Sequence, residues 1–128
     1  MKNKNLFLKK YKNVKVLVTG STGFKGAWLC FWLTQLGAKV SGVGLRTEKD
    51  SIAFKSLDLD KKIKQYYFNI TNLKKIDNII KKNKPDIIFH LAAQSIVSLS
   101  FKEPIKTFQT NILGSANILE SVRRNKVK

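Results

Sequence analysis

The chain has 128 residues, 43% of them hydrophobic, so it can bury the core of about one globular domain and is not a disordered protein. Its 25 Lys and Arg residues against 8 Asp and Glu give a net charge of +17, which raises nucleic acid as a partner. The lysines are spread along the chain without a basic helix or interleaved aromatic residues, so we expect solvated lysines and no specific nucleic-acid surface.

The first predicted element is a strand over residues 14–19, which leads directly into the sequence Gly20-Ser21-Thr22-Gly23-Phe24-Lys25-Gly26. Glycines at this spacing allow a tight reversal at Gly20, close approach of a diphosphate at Gly23 and close helix packing at Gly26. The helix that follows would present unpaired N–H groups and a partial positive charge to that diphosphate. A strand before the glycines and a helix after them therefore predict a dinucleotide site.

The first helix is predicted over residues 23–36, with Gly37 as the residue that ends it. Its strongly apolar stretch, residues 27–33, is far shorter than the ~20 residues that cross a bilayer. The lysine-rich start, residues 1–12, has no hydrophobic signal region. We therefore expect a soluble, cytoplasmic protein that does not enter a membrane.

Three side chains of this helix invite a functional interpretation, and packing is the simpler one. Trp28 and Trp32 lie one helical turn apart on an apolar helix, where we expect them in the core. Cys30 is the single cysteine and is also expected to pack. One Cys and one His do not make a metal site, so none is predicted.

The rest of the chain alternates between strand and helix patterns. We predict strands over residues 40–45, 65–70 and 86–91, a short helix within 46–64, a helix over 72–82 capped by Thr71 and ended by Lys84-Pro85, and a long helix from Glu103-Pro104. This order predicts an α/β fold, a Rossmann-type doubly wound parallel sheet truncated after about four strands. A crossover helix normally leads to a further parallel strand, and none follows the last helix.

Two expectations concern the fourth strand. Its apolar centre, residues 87–89, is typical of a strand buried on both faces. Without a further strand, however, it would be a bare sheet edge, and part of the last helix would lack a partner. We therefore expect poor solubility, or pairing with another chain as a homo-oligomer or with a complementing C-terminal polypeptide.

Two motifs beyond the glycines carry a resemblance to a known family. His90-Leu91-Ala92-Ala93-Gln94 follows the fourth strand, and Asn111-Ile112-Leu113-Gly114 lies in the last helix. With the glycine turn, they resemble the extended short-chain dehydrogenases/reductases, NAD(P)-binding enzymes that often act on nucleotide sugars. More narrowly, residues 11–13, 22–29 and 90–94 resemble the CDP-glucose 4,6-dehydratase branch. The resemblance covers nearly the whole chain but only the N-terminal part of the family's length.

The resemblance implies a cofactor site made by segments that follow the strands. Its members are Gly20, Thr22, Gly23, Phe24, Lys25 and Gly26 around the pyrophosphate, Asn69 and Ile70 beside the adenine, Leu91, Ala92, Ala93 and Gln94 beneath the ribose and nicotinamide, and Asn111 as a brace. A physical argument agrees, because ligands of open parallel sheets collect beyond the carboxyl ends of the strands.

The end of the second strand departs from the family pattern. The ribose-binding acid expected about 20 residues beyond the glycines is replaced by Gly44, and Arg46 follows soon after. Arg46 favours NADP because a guanidinium can bind the 2′-phosphate, whereas the dehydratase resemblance favours NAD. NAD is the expected cofactor and NADP the alternative. Asn69 stands where many relatives carry Asp, and it can bond an adenine amino group without charge.

The resemblance also places the catalytic Tyr-x-x-x-Lys pair and its Ser or Thr downstream of this segment. Tyr11 and Lys15 have the same spacing, but they precede or open the first strand, so we interpret the match as chance. His90 is expected to be a bonded core residue. No catalytic residue is therefore predicted, and the chain alone is expected to be inactive.

Together these observations predict that residues 1–128 form the NAD(P)-binding N-terminal portion of a nucleotide-sugar 4,6-dehydratase, most like CDP-glucose 4,6-dehydratase. A nucleotide sugar would be bound only in a complete enzyme. Two alternatives stay open: a non-catalytic dinucleotide sensor, and another NAD(P)-dependent nucleotide-sugar epimerase or dehydratase.

Overall fold

A computed structural model describes residues 9–46 and 52–127. The predictions for the start of the chain and for the polar stretch after the second strand fall partly on residues 1–8 and 47–51, outside the described residues. Four parallel strands form one sheet in the order β3-β2-β1-β4: β1 (Lys15–Thr19), β2 (Lys39–Gly44), β3 (Lys64–Tyr67) and β4 (Ile87–His90). The predicted Rossmann-type parallel sheet is confirmed.

Helices connect the strands and cover both faces of the sheet. They are α1 (Phe24–Gln35), α2 (Ile52–Ser56), α3 (Leu59–Lys62), α4 (Leu73–Asn83), α5 (Val97–Lys102), α6 (Pro104–Phe108) and α7 (Gly114–Asn125), with a π-helical turn, Gln109–Leu113, between the last two. Among the residues described, no helix has both the length and the apolarity to cross a bilayer.

Each face of the sheet has its own core, because successive side chains of a strand point to opposite faces. One core joins strand residues to α1, α2 and α3: Val16, Val18, Val40, Ala27, Cys30, Leu33, Phe54, Leu59 and Ile63. The other joins the opposite face to α4 and α7: Leu17, Val43, Ile70, Ile76, Ile80 and Ile118. Cys30 is fully buried, as the packing interpretation predicts.

Two helix ends show how local chemistry sets the boundaries. Gly37 follows α1 with φ +81°, a left-handed conformation that suits glycine, and its N–H donates to Thr34 O, so this predicted helix end is confirmed. The predicted cap of α4 was wrong by one residue. Asn72, not Thr71, accepts the Lys75 backbone N–H at 3.0 Å.

The two tryptophans of α1 correct a prediction. Trp28 is 48% exposed and Trp32 is 54% exposed, so neither lies in the core. The helix buries the face that carries Ala27, Cys30 and Leu33, and the tryptophans lie outside it. An apolar helix sequence indicated burial on most sides, but in the described residues the sheet covers one face only.

The fourth strand and the last helix also differ from prediction. Ile87, Ile88 and Phe89 are only partly buried, because β4 pairs with β1 alone among the described strands. The predicted bare edge is therefore confirmed, and burial on both faces is wrong. The single long helix is interrupted by the π-helical turn, and α5 was not predicted at all.

Candidate functional site

The glycine turn links β1 to α1 and touches the loop that follows β4. Gly20 has φ +74°, and its N–H donates to Val43 O at 2.7 Å. A Cβ on Gly20 would lie 2.8 Å from both Leu91 C and Ala92 N. A Cβ on Gly26 would lie 2.6 Å from Gly20 C, so the helix packs directly on the turn. Only glycines permit these two approaches.

The start of α1 is electrostatically suited to an anion. No side chain within the described ranges caps the helix at Gly23, and its first turn contains Lys25 but no acidic residue. Unpaired N–H groups and the positive end of the helix dipole therefore point toward the turn. A diphosphate fits this site because it can approach the backbone of the glycine turn closely and lie beside the positive end of the helix.

At the end of β2, Gly44 occupies the position where a ribose-binding acid is expected, and the structure shows what surrounds it. A Cβ on Gly44 would lie 2.5 Å from the Thr22 hydroxyl oxygen and 2.9 Å from its methyl carbon. Thr22 is buried, so a carboxylate at position 44 would require that side chain to move. The volume expected for an acid is already filled by Thr22.

A cation lies at the same end of the sheet. The guanidinium of Arg46 lies 4.4 Å from the ring centroid of Tyr67, a cation–π contact. Tyr67 is the register partner of Gly44, so β2 and β3 together hold this arginine. Stacking restricts a side chain that would otherwise be mobile and leaves its planar donors for an anionic ligand.

The loop after β4, residues 91–94, is fixed from two sides. The backbone N–H groups of Leu91 and Ala92 donate to Thr19 Oγ1 at 3.2 and 3.3 Å. Asn111 makes a reciprocal pair with Gln94: its Oδ1 accepts the Gln94 N–H at 2.8 Å, and its Nδ2 donates to Gln94 O at 3.0 Å. Asn111 lies on the π-helical turn, a local distortion that often accompanies functional sites.

The segment after β3 forms a turn of its own. Asn69 Oδ1 accepts the Thr71 N–H at 3.0 Å, which fixes the amide side chain. Ile70 is buried in the core against Gly114, and its carbonyl accepts from Asn117 Nδ2 at 3.0 Å. The side chain of Ile70 therefore cannot reach a ligand, and Asn117 fixes the backbone at this position.

The sequence-predicted site residues thus collect at the carboxyl edge of the sheet, although not all face outward in the same way. Phe24 is 71% exposed at the start of α1, whereas the side chain of Ile70 is buried. Sequence reasoning missed Thr19 and Ser115, which bond His90. A polar residue ending a buried strand beside the glycines was the signal for Thr19.

A sequence profile described as GDP-mannose 4,6 dehydratase matches residues 17–128. The chain therefore belongs to the GDP-mannose 4,6 dehydratase family. CDP-glucose 4,6-dehydratase of Salmonella typhimurium is 40% identical over 114 residues, 89% of this chain and 32% of that protein. This relative and the family match confirm the resemblance found in the sequence.

Solved structures of related enzymes have the same fold. UDP-glucose 4-epimerase of Stenotrophomonas maltophila, with bound NAD and formylated UDP-arabinopyranose, matches 91% of this chain and 35% of its own, with TM-score 0.80 and 25% identity. UDP-glucose 4-epimerase of Thermotoga maritima, with UDP-glucose, matches 90% of this chain and 36% of its own, with TM-score 0.80 and 30% identity. This member of the GDP-mannose 4,6 dehydratase family spans about a third of the curated relatives' length.

Proposed function

We propose that this chain binds NAD and is the cofactor-binding portion of a nucleotide-sugar 4,6-dehydratase, most like CDP-glucose 4,6-dehydratase. The observation that carries the proposal is the convergence of an acid-free helix start, the glycine turn and the 91–94 loop at one sheet edge. The Salmonella relative and the NAD in the Stenotrophomonas structure support the choice of cofactor and enzyme class.

The proposed roles follow from the geometry at each position. Backbone from Gly20 to Gly26, with Thr22, Phe24 and Lys25, would hold the pyrophosphate. Asn69 and the backbone of Ile70 would flank the adenine. The segment Leu91, Ala92, Ala93 and Gln94, braced by Asn111, would support the ribose and nicotinamide. When bound, NAD supplies the hydride acceptor for oxidation of a sugar carbon.

NADP is a second candidate cofactor, and one observation favours it. Position 44 has no room for the acid that bonds an unmodified ribose, and Arg46 is held nearby by Tyr67. A guanidinium would attract a 2′-phosphate. Parallel titrations with NAD and NADP decide between them, since recognition by Arg46 predicts tighter binding of NADP.

The catalytic and sugar-binding residues are proposed to correspond to the other two thirds of the relatives' length. Residues 1–128 would then bind cofactor without turning over a nucleotide sugar. The test is an assay of CDP-glucose turnover with this chain alone. Turnover without any added polypeptide would contradict the assignment of the chemistry to that remaining part.

An exposed apolar surface supports a protein partner, either a second copy of the chain or the remaining sequence of a complete enzyme. It lies along α5, α6, the π-helical turn and α7, and its members are Phe101, Ile105, Phe108, Ile112 and Leu119, each at least 59% exposed. Exposed apolar side chains on ordinary surfaces are scattered singly, whereas several on consecutive elements are typical of an interaction site. Light scattering tests the second-copy form of this proposal, and a stable monomer would contradict that form.

The direct test of cofactor binding is calorimetry with NAD, and a single variant localises the site. Gly23 has ordinary extended backbone, with φ −73° and ψ 165°, and a Cβ there meets only Gly20 O, at 3.4 Å. Gly23→Val should therefore fold, while its side chain obstructs the approach of a diphosphate. We expect at least about tenfold weaker NAD binding, while the loss of the glycine N-cap lowers the free energy of unfolding by only about 0.5–1 kcal/mol. Equal affinity in the variant would place the cofactor elsewhere.

A further inference from the structure

His90 is the single histidine of the sequence, and it lies between two hydroxyl groups at the edge of the proposed cofactor site. Its Nδ1 is 2.6 Å from Thr19 Oγ1, and its Nε2 is 3.0 Å from Ser115 Oγ. Ser115 Oγ in turn donates to Asn111 O at 2.6 Å. A continuous set of hydrogen bonds thus runs from the end of β1 through the imidazole to the π-helical turn.

The direction of each bond follows from counting protons. The Leu91 N–H is shared between Thr19 O, at 3.1 Å, and Thr19 Oγ1, and the Ala92 N–H also donates to Oγ1, so the hydroxyl proton of Thr19 is the one available for His90 Nδ1. Ser115 donates its only proton to Asn111 O, so it must accept from His90 Nε2. The Ser115 end requires a proton on Nε2 and the Thr19 end requires an unprotonated Nδ1, and together they define the neutral Nε2–H tautomer.

We infer that His90, as the neutral Nε2–H tautomer, is a positioning residue that couples the 91–94 loop to Asn111 and so holds the two segments that support the ribose and nicotinamide. One hydroxyl, that of Thr19, receives the loop N–H groups and donates to the ring. At the other end of the set, the carbonyl oxygen of Asn111 accepts the hydrogen bond from Ser115. The side-chain amide of Asn111 holds Gln94 through two hydrogen bonds. The consequence for binding rests on the proposed NAD site, whereas the tautomer does not.

The coupling depends on pH because an imidazolium has no acceptor for the Thr19 hydroxyl. His90 is hydrogen-bonded as predicted, but it is exposed at the end of β4 instead of lying in the core. The partial desolvation that it has there lowers its pKa from the usual 6.5. The unfolded chain therefore binds a proton at a higher pH than the folded chain does. The contribution of His90 to stability is present above pH 6.5 and is lost as pH falls through the lowered pKa.

Charged groups on the surrounding elements do not account for this shift. Those elements carry Lys15 on β1, Asp86 before β4, Lys25 on α1, Lys106 on α6, and Glu120, Arg123 and Arg124 on α7. Lys15 and Asp86 are each four residues from the His90 end of the sheet, about 13 Å at roughly 3.3 Å per residue. Glu120 is bonded by both arginines of its helix, and Lys106 pairs with Glu103. Desolvation of the imidazole is the cause of its lowered pKa.

The experiment is nitrogen NMR of the whole chain, in which every imidazole signal belongs to His90 because no other histidine exists. At pH 7.5 we expect a protonated-type Nε2 and an unprotonated-type Nδ1. Thr19→Val removes the hydroxyl donor to Nδ1 with little change in shape, so the preference for the Nε2–H tautomer should weaken and the two nitrogen signals should move toward each other. The opposite tautomer or an averaged pair of nitrogens in the unchanged chain, or an unchanged pair of signals in the variant, would overturn the inference.

A second variant connects the tautomer to the site and covers the case in which Thr19→Val does not fold. Ser115→Ala should weaken NAD binding about 2- to 10-fold, the effect of one net hydrogen bond, and should weaken the pH dependence of binding. Ser98→Ala, an exposed serine on α5, is the matched control and should change neither. If NAD does not bind at all, the proposed function fails while the tautomer result stands. If NAD binds equally to Ser115→Ala and the unchanged chain, the positioning role fails.

Discussion

Replacing Gly20 by Ala tests whether the turn is held by close approach as well as by its backbone conformation. Gly20 and Gly37 both have positive φ, +74° and +81°, so Ala at either position costs about 1–2 kcal/mol of backbone strain. Only Gly20 also meets backbone at 2.8 Å, in Leu91 and Ala92. The nearest atom to a Cβ at Gly37 is Lys12 Cα at 3.6 Å, an ordinary contact.

The two substitutions therefore form a matched pair. Overpacking of rigid backbone costs about 1–3 kcal/mol, so Gly20→Ala should lose about 2–5 kcal/mol and Gly37→Ala about 1–2 kcal/mol. The effect of Ala on the unfolded chain is similar at both positions and cancels in the difference. Urea unfolding followed by circular dichroism gives both values.

Binding gives an independent measurement on the same pair. Gly20→Ala should also lose NAD affinity because the displaced 91–94 loop belongs to the proposed site, whereas Gly37→Ala should retain it. Equal destabilisation by the two substitutions would refute the argument from close approach, because only the backbone strain is common to both.

Three further outcomes are expected. Asn72→Ala should cost about 1 kcal/mol in urea unfolding because it removes the α4 cap, whereas Thr71→Ala should stay within about 0.5 kcal/mol; a larger effect at Thr71 would contradict the cap assignment. Burial raises the pKa of Cys30 to about 12, so iodoacetamide should label it at pH 8 only in urea, and its contribution to stability should decline above pH 9; rapid native labelling would show an accessible thiol. Arg46→Ala should weaken NADP binding roughly 10- to 100-fold and leave NAD binding unchanged, measured by parallel calorimetry; equal loss for both cofactors would place Arg46 away from a 2′-phosphate.

Much of the fold was predictable because its signals are local. The apolar strands, the glycine turn and the stop at Gly37 each depend on residues close together in sequence. The errors about burial share one cause, since burial depends on which element covers a face. Trp28 and Trp32 lie in a helix whose sequence is typical of a core helix, and Ile88 lies in a strand whose sequence is typical of a central strand. In the described residues, however, the outer face of that helix and the outer edge of that strand are uncovered.

The candidate site was predictable as a set of segments but not as a set of contacts. Glycine spacing identified Gly20, and the family resemblance identified Asn111. Neither indicated that Thr19, His90 and Ser115 join them. These three residues are far apart in the chain, and hydrogen-bond partners at such separations depend on strand order and helix packing. The same holds for Thr22, whose side chain fills the space beside Gly44.

The sequence by itself determined the parallel α/β architecture and the position of the glycine turn, because alternating apolar periods and glycine spacing act within a few residues. The tertiary structure alone decided that an acid at position 44 would displace the Thr22 side chain, that Arg46 stacks on Tyr67, and that His90 bridges two hydroxyls. Those features arise where separate strands end side by side, and only the folded sheet sets the distances between strand ends.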